Sequence, residues 1–592
     1  MNKNGLYGLV SLGDAPLDPG DCATMRLSPP PGARVDVRLS DVSQERAGTG
    51  TADEGGFFLA FMGSLDDAPE LAATLGLPAE SPAAMLALSA IRRWDDGAFA
   101  RLRGEWTLLC FDRGKRVLRL AASETLRDQL YFACVGGRVA VAPQATLLAQ
   151  LPWTGREFDP IGLICSMGKW PFRKQREGRT FLRNVTSVEC GTVYHIDARG
   201  YRRMQYARPR AFEPWHGTFD EAIAALEQET RQSVRRHLHR HDTVAVMLSG
   251  GLDSSLMALL ATEERLPGQR LFALSSVAPA GSGLGDEREF MKIVGDALDL
   301  PVVYISPQSG SDAYRPASRV FAAVEEPVVG QRHYLYDAFY AAASRDGATA
   351  LLDGVFGELA LTRIARQATL TGAFRALRGD ARRLLTDTAR PPVWPHHGML
   401  VTLSSRANEA LASAFGARPI LLPKIHPLMR PGAPLGLPAT YFKSGKAVTS
   451  TWYPDVRQLY PYRDRTLLQL AARFPSRFTE AVGLPRSLAR AIMKDRLPER
   501  IVMRSSKDVF SPDFHHRLTT QASTARERLD LHRGNGAAEW LDLDWADGEL
   551  TALSNGGILR NEEWSRLQST VIAAEFFSWW ADQSLVSPNR QT

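Results

Sequence analysis

The stretch Val244-Ala-Val-Met-Leu-Ser-Gly-Gly-Leu-Asp-Ser-Ser255, followed by Leu-Met-Ala-Leu-Leu-Ala261, carries the most information in the chain. A continuous apolar run ending at Leu248 reads as a buried strand, the Gly-rich segment as a tight turn, and the residues from about Ser254 as a helix. A helix that starts directly after such a turn directs free backbone N–H groups and the positive end of its dipole at one spot, which suits an anion. Ser249, Ser254 and Ser255 add hydroxyls, and Gly250 and Gly251 let backbone approach closely. Asp253 is placed to hold a magnesium ion that shares phosphate charge. The bland alternative is an ordinary strand-to-helix turn; the full Ser-Gly-Gly-Leu-Asp-Ser-Ser string is far more constrained than that. Neither GxxxxGK[ST] nor GxGxxG is present here.

From about residue 240 onward apolar strands alternate with helices. TVAVML (243–248), RLFALSSV (270–277), PVVYI (301–305) and ATALLDG (348–354) are separated by helices beginning near Ser254 and Asp286 and by YLYDAFYAAASRDG (334–347). This alternation predicts a parallel sheet with crossover helices. The last two hundred residues read as helical, interrupted by ARPPVWPHH (389–397) and HPLMRPGAPLGLP (426–438). Upstream, WTLLCF, RVLRLAAS, YFACV, RVAVAP and GTVYHI are short β-type runs with one helix, SPAAMLALSAIRRW, among them. The expected domains are residues 1–210 and 215–592, divided at ARPRAFEPWHG, with a long amphipathic helix behind a cap at Thr218.

Composition sets the class. The 592 residues carry 71 Lys and Arg against 65 Asp and Glu, a net +6 too dilute to indicate nucleic-acid binding. Five cysteines (Cys22, Cys110, Cys134, Cys165 and Cys190) include no CxxC pair, so neither a zinc site nor a disulfide framework is expected. The opening MNKNGLYGLVSLGDAPLDPGDC lacks a continuous signal-peptide core, and no long apolar run follows; a cytoplasmic protein without a membrane span is the expectation. His396-His397 and His515-His516 are adjacent pairs that point in different directions, without a third ligand nearby. Arg363, Arg366, Arg375, Arg378, Arg382 and Arg383 read as a solvated helix face, with docking of a peptide substrate as the alternative.

The Ser249–Ser255 segment resembles the PP-loop of ATP pyrophosphatases, which cleave ATP between the α- and β-phosphates to adenylate a substrate. Gly104-Glu-Trp106 and the segment through Phe132 resemble the glutaminase-like domain of asparagine synthetases, with a departure at Glu124-Thr-Leu-Arg127. Asp286-Glu287, Glu326-Pro327, Gly354-Val-Phe-Gly-Glu358, Tyr460-Pro-Tyr-Arg-Asp464 and Arg504-Ser-Ser-Lys507-Asp-Val-Phe510 follow in the order of that superfamily. The implied fold is a degenerate glutaminase-like, Ntn-type sandwich of α+β class. An α/β adenine-nucleotide α-hydrolase-like sheet with a helical C-terminal part would follow it.

The glutamine-dependent members use an N-terminal cysteine after Met removal; residue 2 here is Asn2, so the N-terminal domain is expected to act as scaffold. Two branches take their amine from the substrate itself, the β-lactam synthetases and the lasso peptide cyclases. The tyrosine that the former use in their second acidic motif falls on Val355, which favours the cyclases. The resemblance implies ATP and Mg2+ as cofactors. Leu248, Ser249, Gly250, Gly251, Leu252, Asp253, Ser254, Ser255 and Gly354 would line the nucleotide. Asp253 and Glu358 would hold the metal, with Asp353 a competing ligand, because Glu358 and Phe356 replace the usual Asp and Gly. Lys507 and Glu358 are the catalytic candidates, with Lys507 stabilising charge that grows at the α-phosphate; Arg504 either assists or forms a structural ion pair. Implied partners are a precursor core peptide, a leader-binding element and a leader-cleaving protease. The rival readings are an ammonia-using asparagine synthetase, a β-lactam synthetase, a tRNA-modifying PP-loop protein and a non-catalytic binding protein.

Overall fold

The computed structural model describes residues 5–13, 16–28, 33, 35–40, 49–124, 129–168, 177–207, 213–307, 311–361, 399–415, 455–479, 483–505 and 510–585. Two antiparallel sheets build the N-terminal part. One has the order β2 (Val35–Ser40), β1 (Gly5–Ser11), β8 (Arg138–Ala142), β7 (Tyr131–Val135), β9 (Thr186–Ser187). The other runs β11 (Gly200–Gln205), β10 (Thr192–Asp197), β6 (Val117–Ala122), β5 (Gly104–Asp112), β4 (Phe57–Leu65), β3 (Gly50–Glu54).

Strand alternation assigns the layers. Leu6 and Val10 on β1, with Phe132, Val139 and Val141, face Leu109, Phe111, Leu118 and Leu120 of the second sheet and fill the sandwich. The opposite parity, Tyr7 and Leu9 on β1 with Tyr131 and Ala140, joins a core shared with the C-terminal helices. The outer face of the second sheet buries Leu86, Leu88 and Ile91 of the helix Ala83–Trp94.

The third sheet is parallel throughout, in the order β14 (Val302–Ile305), β13 (Arg270–Ser276), β12 (Thr243–Met247), β15 (Ala350–Leu352), β16 (Arg457–Leu459). Helices cover both of its faces, which explains why its strands read as unbroken apolar runs. Val244, Val246, Ala273 and Leu352 pack with the helices Phe219–Leu238 and Leu252–Glu263, while Ala245, Met247, Phe272 and Leu351 face the helix His333–Arg345 and the C-terminal region. Thr218 caps the long helix reciprocally: its hydroxyl accepts from the Glu221 amide at 3.2 Å, and Glu221 accepts from the Thr218 amide at 2.7 Å. Strand β12 closes at Met247, one residue before Leu248, and its helix opens at Leu252 rather than near Ser254.

The C-terminal part is helical and ends in Asn561–Leu585, a helix buried on every side between Leu567 and Trp580. Its aromatic residues reach back to the N-terminal part: Phe576 meets Phe181 edge-on at 5.2 Å and Phe577 meets Phe158 at 5.8 Å. Among the described residues no helix is long and apolar enough to cross a membrane.

Candidate active site

From β12 the chain moves outward through β13 and β14, then returns to the other side of β12 as β15 and β16. The order therefore reverses between β12 and β15, and the crevice outside their carboxyl ends is where open α/β sheets bind ligands. Both sequence motifs leave the sheet at this point: Leu248–Ser255 follows β12, and Asp353–Glu358 follows β15.

The first loop is closed by Ser254, whose hydroxyl accepts from the Ser249 amide at 3.2 Å and donates to the Gly251 carbonyl at 3.0 Å. Gly250 has φ +66°, and a Cβ there would stand 2.7 Å from Cβ of Phe290, so only glycine fits. The Gly250 carbonyl accepts from Arg504 Nη1 at 2.9 Å; Arg504 also lies over the Phe290 ring at 3.8 Å and pairs with buried Glu287. Arg504 thus clamps the loop from behind through a structural ion pair. The helix Leu252–Glu263 has no side-chain cap at Gly251, so its first-turn amides are left for an incoming acceptor. Among the described residues, Ser255 Oγ, and Ser275 Oγ near the carboxyl end of neighbouring β13, are buried without a hydrogen-bond partner.

The second loop packs directly on the first. A Cβ on Gly354 would lie 3.2 Å from Cα of Ser254, and one on Gly357 would lie 2.5 Å from Cγ of Asp253. Phe356 adopts φ +75°, a left-handed conformation that costs a non-glycine residue about 1–2 kcal/mol. Its buried ring meets Tyr460 edge-on at 5.7 Å and lies 5.9 Å from the Arg463 guanidinium, contacts that a glycine lacks. Asp353 is engaged within the protein. It is 4% exposed, and its two oxygens accept from the Val355 amide at 3.0 Å and from Gln458 Nε2 at 2.6 Å. Glu358, in contrast, is exposed on the first turn of the short helix Gly357–Ala360.

Asp253 sits in the first turn of its helix with its carboxylate 2.6 Å from Arg486 Nη1. Its backbone carbonyl accepts from the Tyr462 hydroxyl at 2.9 Å, which gives the Tyr-Pro-Tyr-Arg-Asp segment a role in holding the loop. Burial, with Asp253 acting in the same direction, keeps the Tyr462 phenol protonated well above its ordinary range. Arg486 itself has φ +65° and starts the helix Ser487–Met493. Arg490 on that helix bonds the Pro485 and Arg504 carbonyls at 2.8 and 2.9 Å, and so fixes the segment that leads to Lys507. Sequence reading missed Arg486, Arg490 and Ser275. Two are single arginines in a chain rich in them, and only the Ser-Ser pair ending RLFALSSV marked the third. Lys507, the arginines from Arg363 to Arg383 and the pair His396-His397 lie outside the described residues.

These residues fit ATP and Mg2+. Uncapped amides, an orphaned Ser255 hydroxyl and glycine-lined backbone suit phosphate oxygens. Among the described residues no group of three metal-ligating side chains exists, so Asp253 and Glu358 offer a magnesium ion two carboxylates and leave its other positions to phosphate and water. Bound there, the ion would neutralise charge on the pyrophosphate leaving group.

The sequence model of the asparagine synthase family matches residues 225–359 and 455–581. This part of the chain is similar to an asparagine synthase domain. The two matched segments contain both loops of the switch point, Arg486 and the Lys507 segment. The chemistry of such a domain is ATP-dependent amide-bond formation. No curated protein matches the chain. Among solved structures, the glutamine phosphoribosylpyrophosphate amidotransferase from B. subtilis complexed with ADP and GMP is 11% identical, over 59% of this chain and 75% of that one, with a TM-score of 0.23. An allosteric regulatory enzyme of purine biosynthesis is 12% identical, over 53% and 77%, again with a TM-score of 0.23. Likeness at that level carries no argument about this protein.

Proposed function

We propose that the protein is an AMP-forming peptide macrocyclase of the asparagine synthetase superfamily, related to the lasso peptide cyclases. A side-chain carboxylate of a precursor core peptide attacks the α-phosphate of ATP, giving an acyl adenylate and pyrophosphate. The peptide's free N-terminal amine then attacks the acyl carbon, AMP leaves, the amine loses a proton and an isopeptide ring closes. Proximity of amine and acyl group within one molecule replaces a high concentration of ammonia.

The observation that carries this reading is a fully assembled pair of synthetase loops beside an N-terminal domain with no thiol poised as a nucleophile. None of the five cysteines forms a disulfide. Cys22 is buried within the helix Pro19–Met25, and burial, reinforced by Asp36, raises its pKa. Burial pushes Cys110 up to about 12 and also raises Cys134, so none of these three is a ready thiolate. The valine at position 355, where the β-lactam branch carries the tyrosine that activates its amine, supports the cyclase branch over that one.

Mass spectrometry of peptides from producing cells tests the reading, with the intact gene compared against Asp253→Ala. A peptide one water lighter than its linear form, present only with the intact gene, is the expected result. Identical peptides in both strains, with pyrophosphate released by the purified protein on a small carboxylic acid, would replace the macrocyclase by a small-molecule amide synthetase.

A further inference from the structure

The helix His333–Arg345 runs into β15 through a short link, so its C-terminus lies at the amino ends of the parallel strands and its N-terminus at their carboxyl ends. Arg332, which precedes its first turn, therefore stands on the same rim as the two loops of the switch point. Tyr336, one turn further, lies close enough to both Asp353 and Arg332 for their charges to act on its phenol, which burial holds well above its ordinary pKa.

Arg332 is a half-buried guanidinium without a counter-ion among the described residues. Its Nε donates to Ser511 Oγ at 3.1 Å, its Nη1 donates to Gln331 Oε1 at 3.0 Å, and its carbon lies 3.6 Å over the Phe514 ring. The nearby carboxylate, Asp513, is taken by Arg517 through two bonds at 3.0 and 2.7 Å, and accepts from the Tyr334 hydroxyl at 3.4 Å. Burial lowers the Arg332 pKa, outweighing the opposing influence of Tyr334, Tyr336 and Asp513. Aromatic walls complete the place: Phe510 lies 6.3 Å from Tyr336 and stacks on Phe339 at 5.9 Å, three residues after Lys507. A desolvated, unpaired guanidinium is costly unless an anion arrives, and its planar fork matches a carboxylate.

On the function proposed above, we infer that Arg332 recognises the side-chain carboxylate of the acyl substrate, with Tyr336, Phe510 and Phe514 as the apolar surround. The triphosphate has its own donors at Ser249–Ser255, so Arg332 sets selection of the carboxylic partner rather than of ATP. Once the carboxylate becomes an acyl phosphate it loses its charge, and the hold of Arg332 on it weakens as the amine approaches.

The test measures binding of a panel of N-terminally free decapeptides with one internal Glu or Asp, each against its Gln or Asn counterpart. It uses the full chain saturated with a non-hydrolysable ATP analogue and Mg2+. The wild type is expected to prefer the acidic peptide of at least one pair by about tenfold or more, and Arg332→Gln to erase that preference with affinity for the ATP analogue unchanged. A preference retained in Arg332→Gln, no preference in the wild type, or a loss confined to nucleotide affinity would each overturn the assignment. If Arg332→Gln fails to fold, Arg332→Lys carries the test, since a point charge cannot reproduce the fork; undiminished preference there overturns it too. A parallel assay with ATP in place of the analogue separates the two readings: acidic preference without any ring or AMP formed would sink the macrocyclase reading and leave Arg332 standing. Ring formation with preference intact in the variant would do the reverse.

Discussion

Gly357→Ala asks whether the contact between the two loops sets activity. The backbone at Gly357 is not in the left-handed region, so alanine is conformationally acceptable, but its Cβ would lie 2.5 Å from Cγ, 2.7 Å from Cβ and 2.8 Å from Oδ2 of Asp253. An ordinary carbon–carbon contact is about 3.5–4.0 Å, so the carboxylate or the Gly357–Ala360 turn must retreat by about 1 Å. A displacement of that size in a reacting constellation costs about a hundredfold in rate, while the change of helix propensity favours alanine by up to about 1 kcal/mol. The expected outcome is a folded protein whose pyrophosphate release and ring formation fall about a hundredfold. Gly548→Ala, at an exposed position of the helix Leu543–Ser554 where a Cβ meets nothing, is the matched control and should leave both unchanged. Thermal melts and pyrophosphate release on the same samples make the comparison. Activity of Gly357→Ala within threefold of wild type would refute the argument that Asp253 must keep its place.

The two acids of the second loop should separate cleanly. Asp353→Asn replaces a buried acceptor of two hydrogen bonds and is expected to lower stability by about 1–3 kcal/mol in urea unfolding, whereas exposed Glu358→Gln should leave stability within about 0.5 kcal/mol and weaken Mg2+-dependent ATP binding. Glu325 reaches into the N-terminal part to accept from the Ala145 and Thr146 amides at 2.6 and 3.0 Å, so Glu325→Ala should cost about 3 kcal/mol or more, read as a lowered unfolding midpoint. Burial lowers the His333 pKa to about 4. The unfolded state, titrating near 6.5, binds the proton first, so His333 contributes stability above pH 6.5 that is lost as pH falls towards 4. Between pH 7 and pH 5 that loss is about 2 kcal/mol, and His333→Gln should flatten the stability profile across that window.

Much of the chemistry was written locally. An apolar run, a Gly-Gly turn, an aspartate and serines in one short segment define a phosphate-facing turn, because the groups that approach the phosphate are adjacent in the chain. Thr218 with Glu221 marked a helix start for the same reason, and the alternation of apolar runs with helical periodicity fixed a parallel sheet. What tertiary structure decided depends on residues far apart in sequence. Asp353 and Glu358 are equivalent carboxylates to a reader of GVFGE and its neighbour; Gln458, on the adjacent strand, is what commits Asp353 to the fold. Arg486 is unremarkable until the helix it begins brings it onto Asp253, and Arg332 until Arg517 takes the nearby Asp513. Phe356 breaks a glycine pattern in sequence and is accommodated only because Tyr460 and Arg463 pack against its ring. Short-range geometry follows from backbone preference and is legible in the chain; the choice among chemically equal side chains follows from which partner the fold carries to each of them.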